Sequence, residues 1–432
     1  MTSEALTGLT GVLVALAVIA WDAPGGGAAM AADAVRQPID ASVAPATDNS
    51  RKLIWKRQFG TKKDDFTTGV ATDADDNVLS VGTTAGSLDG ASKGGRDAFV
   101  AKYSSSGAKL WLHQLGSSAD DRAEGVAADG QGNVFIAGET GGDLGAGYLG
   151  RGDLFLAKYN AAGDLLWVRD IGTAEFETDA AVAVDDNGDV VVSGLTSGSL
   201  GGANPNGRYQ AVVAKYTNAG DQIWITQFGT TDLDCSALAV ATDTDRNLLV
   251  AGYTTGSLAS NQTGGAFVAK YSPGGSLRWI RQFDAGESSS ATAVAADSQG
   301  DAVITVASKF REFVVKYSAG GTLSWSDEVG AGTGPRRLTG VAVDGDDNIA
   351  ATGYTYGSIG GPNKGDGDVF LIKYEPIGQR LWKRQIGTNV TDWSTRVATD
   401  SSDNIVIAGW TYGALVGANR GGADVFIAKF AP

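Results

Sequence analysis

Three residue columns, each recurring seven times at a spacing of about 56 residues, predict an all-β chain: a seven-bladed β-propeller with four antiparallel strands per blade. The first column is tryptophan, at Trp55, Trp111, Trp167, Trp224, Trp279, Trp325 and Trp382. The second is lysine, at Lys102, Lys158, Lys215, Lys270, Lys316, Lys373 and Lys429. The third is aspartate, at Asp73, Asp129, Asp185, Asp243, Asp297, Asp344 and Asp400. Glycine supplies 62 of 432 residues against 9 prolines, a balance that suits tight turns between buried strands and not a Pro/Gly linker.

One unit reads as four short strands. GVATD (Gly69 to Asp73) is the first, and the turn ADDN leads into NVLSVGTT (Asn77 to Thr84). A Gly-rich loop then leads to DAFVAKY (Asp97 to Tyr103), and SSSG to AKLWLHQLG (Ala108 to Gly116). Strands of this length separated by turn chemistry are the all-β pattern, and no helical periodicity follows residue 50. The repeat region opens on a fourth strand, LIWKRQFG, and ends on a third strand, DVFIAKF. The N-terminal strand is therefore expected to complete the last blade and close the ring. The fifth unit is short: 19 residues separate Asp297 from Lys316, so it has lost its Gly-rich loop.

The first 50 residues differ. Leu9 to Trp21 is an apolar run, too short to span a bilayer comfortably, and Ala29-Met30-Ala31 is an A-x-A match. Residues 1–34 read as a signal peptide, although the n-region holds Glu4 and no Lys or Arg. Residues 35–50 read as a linker and 51–432 as the propeller. The expected location is exported: periplasmic, cell-surface or extracellular, with no membrane span after signal removal.

The pattern W-x-R-Q-x-G-T, then V-A-x-D-x-x-x-N, a Gly-rich loop and A-K-Y resembles the SBBP-type bacterial β-propeller repeat, over residues 51–432. The resemblance implies a secreted or surface protein and supplies no shared catalytic residues.

The repeat also filters candidate sites. His113, the only histidine, shares a column with Arg57, Arg169, Thr226, Arg281, Asp327 and Arg384 and reads as a solvated edge residue, which removes Ser-His-Asp and Cys-His chemistry. Cys235, the only cysteine, shares a column with Asp65, Asp121, Glu177, Ser289, Arg336 and Asp392 and reads as a drifted polar loop position. The D-x-x-x-N turns read as hairpins with a left-handed fourth residue; DADDN and DGDDN are kept as weak calcium candidates. The lysine and aspartate columns are expected to pair at one end of each blade, and the tryptophans to pack between blades. The acidic column Asp65, Asp121, Glu177 and Asp392 enters the innermost strands and is the candidate ligand site, expected to ring the channel mouth. The neighbouring loops add Tyr148, Asn204, Asn206, Tyr356, Asn363, Trp410 and Tyr412.

A formal net charge of −15 disfavours nucleic acid. The leading expectation is a non-enzymatic binding or scaffold module that engages protein or glycan through the loops of one face, with no cofactor beyond weak calcium. A metal-assisted polysaccharide hydrolase or lyase and a structural adhesion component are the alternatives. Oligomeric state is not legible.

Overall fold

The computed structural model describes residues 52–432, apart from 146, 231–232, 259–263 and 331–333. The segments read as signal peptide (1–34) and linker (35–50) lie outside the described residues. Among the described residues, 28 strands form seven four-stranded antiparallel sheets. Blade 1 comprises β2 (Asp65–Thr72), β3 (Val78–Thr84), β4 (Asp97–Tyr103) and β5 (Lys109–Leu115). Blade 2 comprises β6 (Asp121–Ala128), β7 (Val134–Thr140), β8 (Asp153–Tyr159) and β9 (Leu165–Ile171). Blades 3 to 6 repeat the plan over residues 177–228, 235–283, 290–328 and 336–386. Blade 7 is β26 (Asp392–Thr399), β27 (Ile405–Thr411) and β28 (Asp424–Phe430), completed by β1 (Leu53–Phe59). β1 runs antiparallel to β28 with Trp55 opposite Lys429, so the N-terminal strand closes the ring as expected.

The first strand of each blade lies against the first strands of both neighbours, which makes these strands the innermost. The second and third strands are buried on both faces because blades pack on either side, and so they read as continuous apolar runs. The first strand begins at Asp65, four residues before the expected Gly69. Its register slips between Thr67 and Gly69, and the same slip recurs in every blade. A bulge breaks the period-two alternation, which hides the residues ahead of it from a reading by alternation.

The end of the ring that carries the first and third hairpin turns is built from the repeated columns. Asp73 Oδ1 accepts hydrogen bonds from the backbone of Asp75 at 3.0 Å and of Asn77 at 2.9 Å. The fourth turn residue has positive φ in all seven copies, from 59° at Asp76 to 79° at Gly188. Lys102 Nζ reaches Asp73 at 2.7 Å, and equivalent pairs close at 2.5 to 2.8 Å in blades 3 to 7. Burial raises the pKa of Asp73, Asp243 and Asp400. Hydrogen bonds from the lysine and from the turn asparagine more than offset this and hold all three below the usual carboxylate range. Blade 2 departs: Asn218 of blade 3 accepts from Lys158 and donates to Asp129 at 2.9 Å, standing between the two charges.

Six of the seven fourth-strand tryptophans cover the last turn of the next blade. Trp55 Nε1 donates to Ser105 O at 2.9 Å, and Trp279 to Ala319 O at 2.9 Å. The turn residue beneath the Trp55 ring, Gly107, has φ 83°, and a Cβ there would lie 2.7 Å from the indole, so glycine is required twice over. Trp382 Nε1 is buried without a partner. The blade it faces is completed by β1, so it has no hairpin between third and fourth strands and offers no turn carbonyl there.

Candidate functional site

The structure corrects the expectation that the acidic column lines an open mouth. Asp65, Asp121, Glu177 and Asp392 are each the first residue of an innermost strand, and each is 0–1% exposed. Their carboxylates turn back to cap the preceding loop. Asp121 Oδ2 accepts from Ser117 N at 2.6 Å, Glu177 from Thr173 N at 2.8 Å and Asp392 from Thr388 N at 2.6 Å. Asp65 takes the same bond from Thr61 N and another from the Thr84 hydroxyl. Thr84 Oγ1 in turn accepts from Gly86 N at 3.0 Å, so acid and threonine tie the loop that enters blade 1 to the loop after its second strand. Burial raises Asp65, Asp121 and Asp392 against the pull of these bonds. The four acids are repeated architectural caps, separated by blade and closed to solvent.

The loop face is asymmetric at other positions. In blades 7 and 1 the residue after the cap is aromatic, Trp393 and Phe66, and in blade 6 the aromatic is Tyr354, the register partner of Arg337. Tyr354 stacks on Trp393 with ring centroids 4.2 Å apart and planes at 10°. Trp393 meets Trp410 at 4.7 Å, and Phe66 sets its edge on Trp410 at 5.2 Å. Arg96 continues the row, 5.8 Å from the Phe66 ring. Tyr356 and Tyr412 stand at its rim, each 40% exposed, set edge-on to Tyr354 and Trp410. Trp393 and Trp410 are register partners on β26 and β27, and Phe66 comes from the neighbouring β2, so blade packing builds the row. Tyr356, Trp410 and Tyr412 were candidate loop residues. The two tyrosines do open the loops that follow second strands, whereas Trp410 lies in β27, 4% exposed. Phe66, Tyr354 and Trp393 went unread, although aligning the position after each cap would have exposed Phe66 and Trp393 against Arg122, Thr178, Ser236, Ser290 and Arg337. Asn204 and Asn363 brace their own loops, donating to Arg208 O and Tyr356 O at 2.7 Å.

In blade 2 the same positions are charged, Arg122 and Glu139, and the bulges of blades 2 and 3 add Glu124 and Asp179. Arg122 Nη1 meets Glu139 Oε1 at 2.8 Å, and the Thr178 hydroxyl donates to the other oxygen of Glu139. Glu124 accepts from Ala180 N at 2.6 Å, and Asp179 from Ser236 Oγ at 2.7 Å. Burial, then repulsion from Glu139, pushes Glu124 up to about 8; burial pushes Asp179 up to about 6. Each of these groups is engaged by a donor on an innermost strand. Among the described residues, no group of three or more His, Cys, Asp or Glu side chains is placed to hold a metal ion.

The two lone residues take structural places. His113 lies on the outer strand β5, 37% exposed at its side chain, with Nδ1 3.2 Å from Asp89 and its ring parallel to Tyr159. Cys235 is not in a loop: it is the first residue of its strand and fully buried, and burial pushes its thiol up to about 12, far from a nucleophile. In the DADDN and DGDDN turns the leading aspartates, Asp73 and Asp344, are already bound to lysine and to turn amides.

Comparison with known proteins agrees with this architecture. Residues 54–89, 110–145 and 223–259 match the SBBP family model, described as a β-propeller repeat. The chain is 23% identical over 455 residues to an uncharacterized WD repeat-containing protein of Acanthamoeba polyphaga mimivirus, covering 83% of this chain and 30% of that one. It therefore spans less than a third of that relative's length. Among solved structures, the Dos1 propeller aligns with TM-score 0.50 and 8% identity over 88% of this chain and 95% of that chain. The propeller domain of the Trilobed protease from Pyrococcus furiosus, described with an open velcro topology, aligns with TM-score 0.47 and 8% identity, over 86% and 94%. The alignment to the Dos1 propeller supports the fold.

Proposed function

We propose that this propeller is a non-enzymatic binding module that holds a protein partner on the aromatic sector formed by blades 6, 7 and 1. The observation that carries this reading is the row Tyr354, Trp393, Trp410 and Phe66, flanked by the half-exposed Tyr356 and Tyr412 and by Arg96. Tryptophan, tyrosine and arginine dominate the energetics of protein interfaces, because they bury much area while losing little side-chain freedom. The position of Tyr356 and Tyr412 holds Ala85, Gly141, Ser197, Thr255 and Ser308 in the other five blades, although Tyr253 stands in the column of Tyr354 and Trp410. The capping acids and the charged positions of blades 2 and 3 are engaged within the fold, which leaves the aromatic sector as the better surface for recognition.

Selection of peptides from a displayed library against the full chain tests the proposal. Binders should lose affinity at least tenfold against Tyr356→Ala/Tyr412→Ala and be unaffected by Ser106→Arg on the opposite end. Binders indifferent to the tyrosines, or a chain that retains glycans and no peptide, would overturn it.

The setting proposed for this module is a bacterial exported protein, supported by the apolar run Leu9 to Trp21 and the A-x-A match. N-terminal sequencing of the protein recovered outside the cytoplasm tests cleavage near residue 31.

A further inference from the structure

Building on the binding role of the aromatic sector, we propose that the partner segment held there is an acidic peptide. Its carboxylates lie beside Arg337 and Arg96, and its apolar side chains against Tyr356, Tyr412 and Phe310. Two guanidinium groups carry the assignment. Arg337 is the register partner of Tyr354 on blade 6, and Arg96 stands beside Phe66 on blade 1, so the pair brackets the row of rings. Both arginines are partly buried, and among the described residues neither side chain makes a hydrogen bond or an ion pair. Other arginines of the ring are bound within it. Arg122 meets Glu139, Arg380 meets Asp327 at 2.7 Å, and Arg57, Arg169 and Arg281 donate to turn carbonyls.

The acids near the two arginines are committed elsewhere. Glu312 of blade 5 lies within electrostatic reach of Arg337. It is 1% exposed and accepts from Leu338 N at 2.7 Å, and burial pushes it up to about 8, so at neutral pH it is mostly protonated. At the Arg96 end, Asp64 Oδ1 accepts from Ala423 N at 3.0 Å and Asp120 Oδ1 from Arg96 N at 2.8 Å. Asp366 near Tyr356 and Asp64 near Tyr412 disfavour carboxylates in the middle of the segment, which places them at its ends. A basic segment would bring further cations against two unpartnered guanidinium groups. An acidic one supplies the charge-assisted bonds they lack. The net charge of −15 does not decide against this, because charges are screened beyond about 8 Å at physiological ionic strength and contacts at the sector form within that distance.

Phe66 and Trp410 are buried and support the surface, while Tyr354 and Trp393 are partly open to it. The surface continues onto blade 5. There the second and third strands are joined by residues 308–311 alone, against 356–367 in blade 6. Phe310, in this short loop, is 74% exposed. Its neighbours Lys309 and Arg311 are paired with Glu287 and Glu328, so charge recognition stays with Arg337 and Arg96. Blades 5, 6 and 7 thus each present an aromatic near the start of the same loop, where blades 1 to 4 have Ala85-Gly86, Gly141-Gly142, Ser197-Gly198 and Thr255-Gly256. Ring-to-ring steps along the row are 4.2, 4.7 and 5.2 Å. An extended chain advances about 3.3 Å per residue, so a segment of about six to eight residues reaches from Arg337 to Arg96.

The test uses peptides selected from a displayed library on the full chain. Binders that depend on Tyr356 and Tyr412 should carry Asp or Glu on both sides of an apolar stretch. Changing those acids to Asn and Gln should weaken binding by about tenfold or more, the scale of one charge-assisted hydrogen bond. Arg337→Glu/Arg96→Glu should lose the acidic peptides to the same degree and gain affinity for versions whose acids are changed to lysine, a reversal that a misfolded chain cannot show. Arg337→Gln/Arg96→Gln serves if glutamate beside Glu312 unfolds the chain. Phe310→Ser should weaken binding several-fold and leave Tm unchanged; unchanged affinity would overturn the extension to blade 5. Tyrosine-dependent binders that are neutral or basic, or that ignore both arginines, would overturn the acidic assignment and leave the aromatic sector standing. Failure to obtain any tyrosine-dependent binder would overturn both.

Discussion

Lys102 Nζ and the Asp73 carboxylate meet at 2.7 Å across the second strand of blade 1, with side chains 4% and 1% exposed. Removing one member leaves a buried charge, whereas removing both charges leaves a neutral contact. Lys102→Met should therefore cost roughly 3–5 kcal/mol, and Lys102→Met/Asp73→Asn distinctly less, since asparagine keeps an oxygen for the hairpin amides. Urea unfolding of the two variants decides it. Equal losses would mean that the pair contributes through packing and not through charge compensation.

The pH dependence of stability should have two limbs. Burial holds Glu312 at about 8, against 4.5 for a free glutamate, so its contribution is full below 4.5 and lost as pH rises through 8. The lysine-paired Asp73, Asp243 and Asp400 are lowered, so their contribution is present above 3.8 and lost as pH falls through their folded values. Stability should peak between about pH 4 and 6. Glu312→Gln keeps an acceptor for Leu338 N, now bound at 2.7 Å, and should make the alkaline limb shallower, leaving the share that comes from Glu124, with the acid limb intact. Tm measured from about pH 2 to 9 reads both. An unchanged alkaline limb would place its origin elsewhere.

The fold was legible because seven copies of one unit make chance an untenable account of the columns, and because the missing strand at each end of the repeat region dictates closure. The turn at Asp76 and the ion pair at Lys102 followed from the same columns. The position of Asp65 did not. A bulge at Thr68 conceals the start of its strand, so a buried cap reads as a loop acid. The aromatic row was half visible, since Tyr356 and Tyr412 could be named from loop composition. The stack of Tyr354 on Trp393 joins residues of neighbouring blades, and alternation along a single strand carries no information about such contacts.

His113 occupies a position where arginine does more. Arg57 and Arg281 each donate Nε to the carbonyl of a turn glycine in the next blade at 2.6 Å. His113 stacks over the equivalent turn without such a bond, its Nε2 2.8 Å from where a Cβ on Gly163 would sit. His113→Arg should be neutral or stabilising by up to ~1 kcal/mol, the scale of one added hydrogen bond. Thermal unfolding checks this, and a loss beyond about 2 kcal/mol would show that the imidazole has a role the column comparison misses.

Closure by β1 can be tested by removing it. Without residues 52–59, blade 7 keeps three strands, and β28 becomes an edge whose Phe426, Ile427 and Ala428 are now at most 4% exposed. Trp55 goes as well, and with it the ring that covers the turn at Ser105 to Gly107 in blade 1. An exposed apolar edge strand with free backbone groups recruits another chain. The deletion should therefore lower Tm markedly and produce dimers or larger species on gel filtration. A peptide spanning 52–59, added in trans, should restore the monomer by pairing with β28. A truncated chain that stays monomeric at native Tm would show that β1 adds area to a ring held shut by the innermost strands alone.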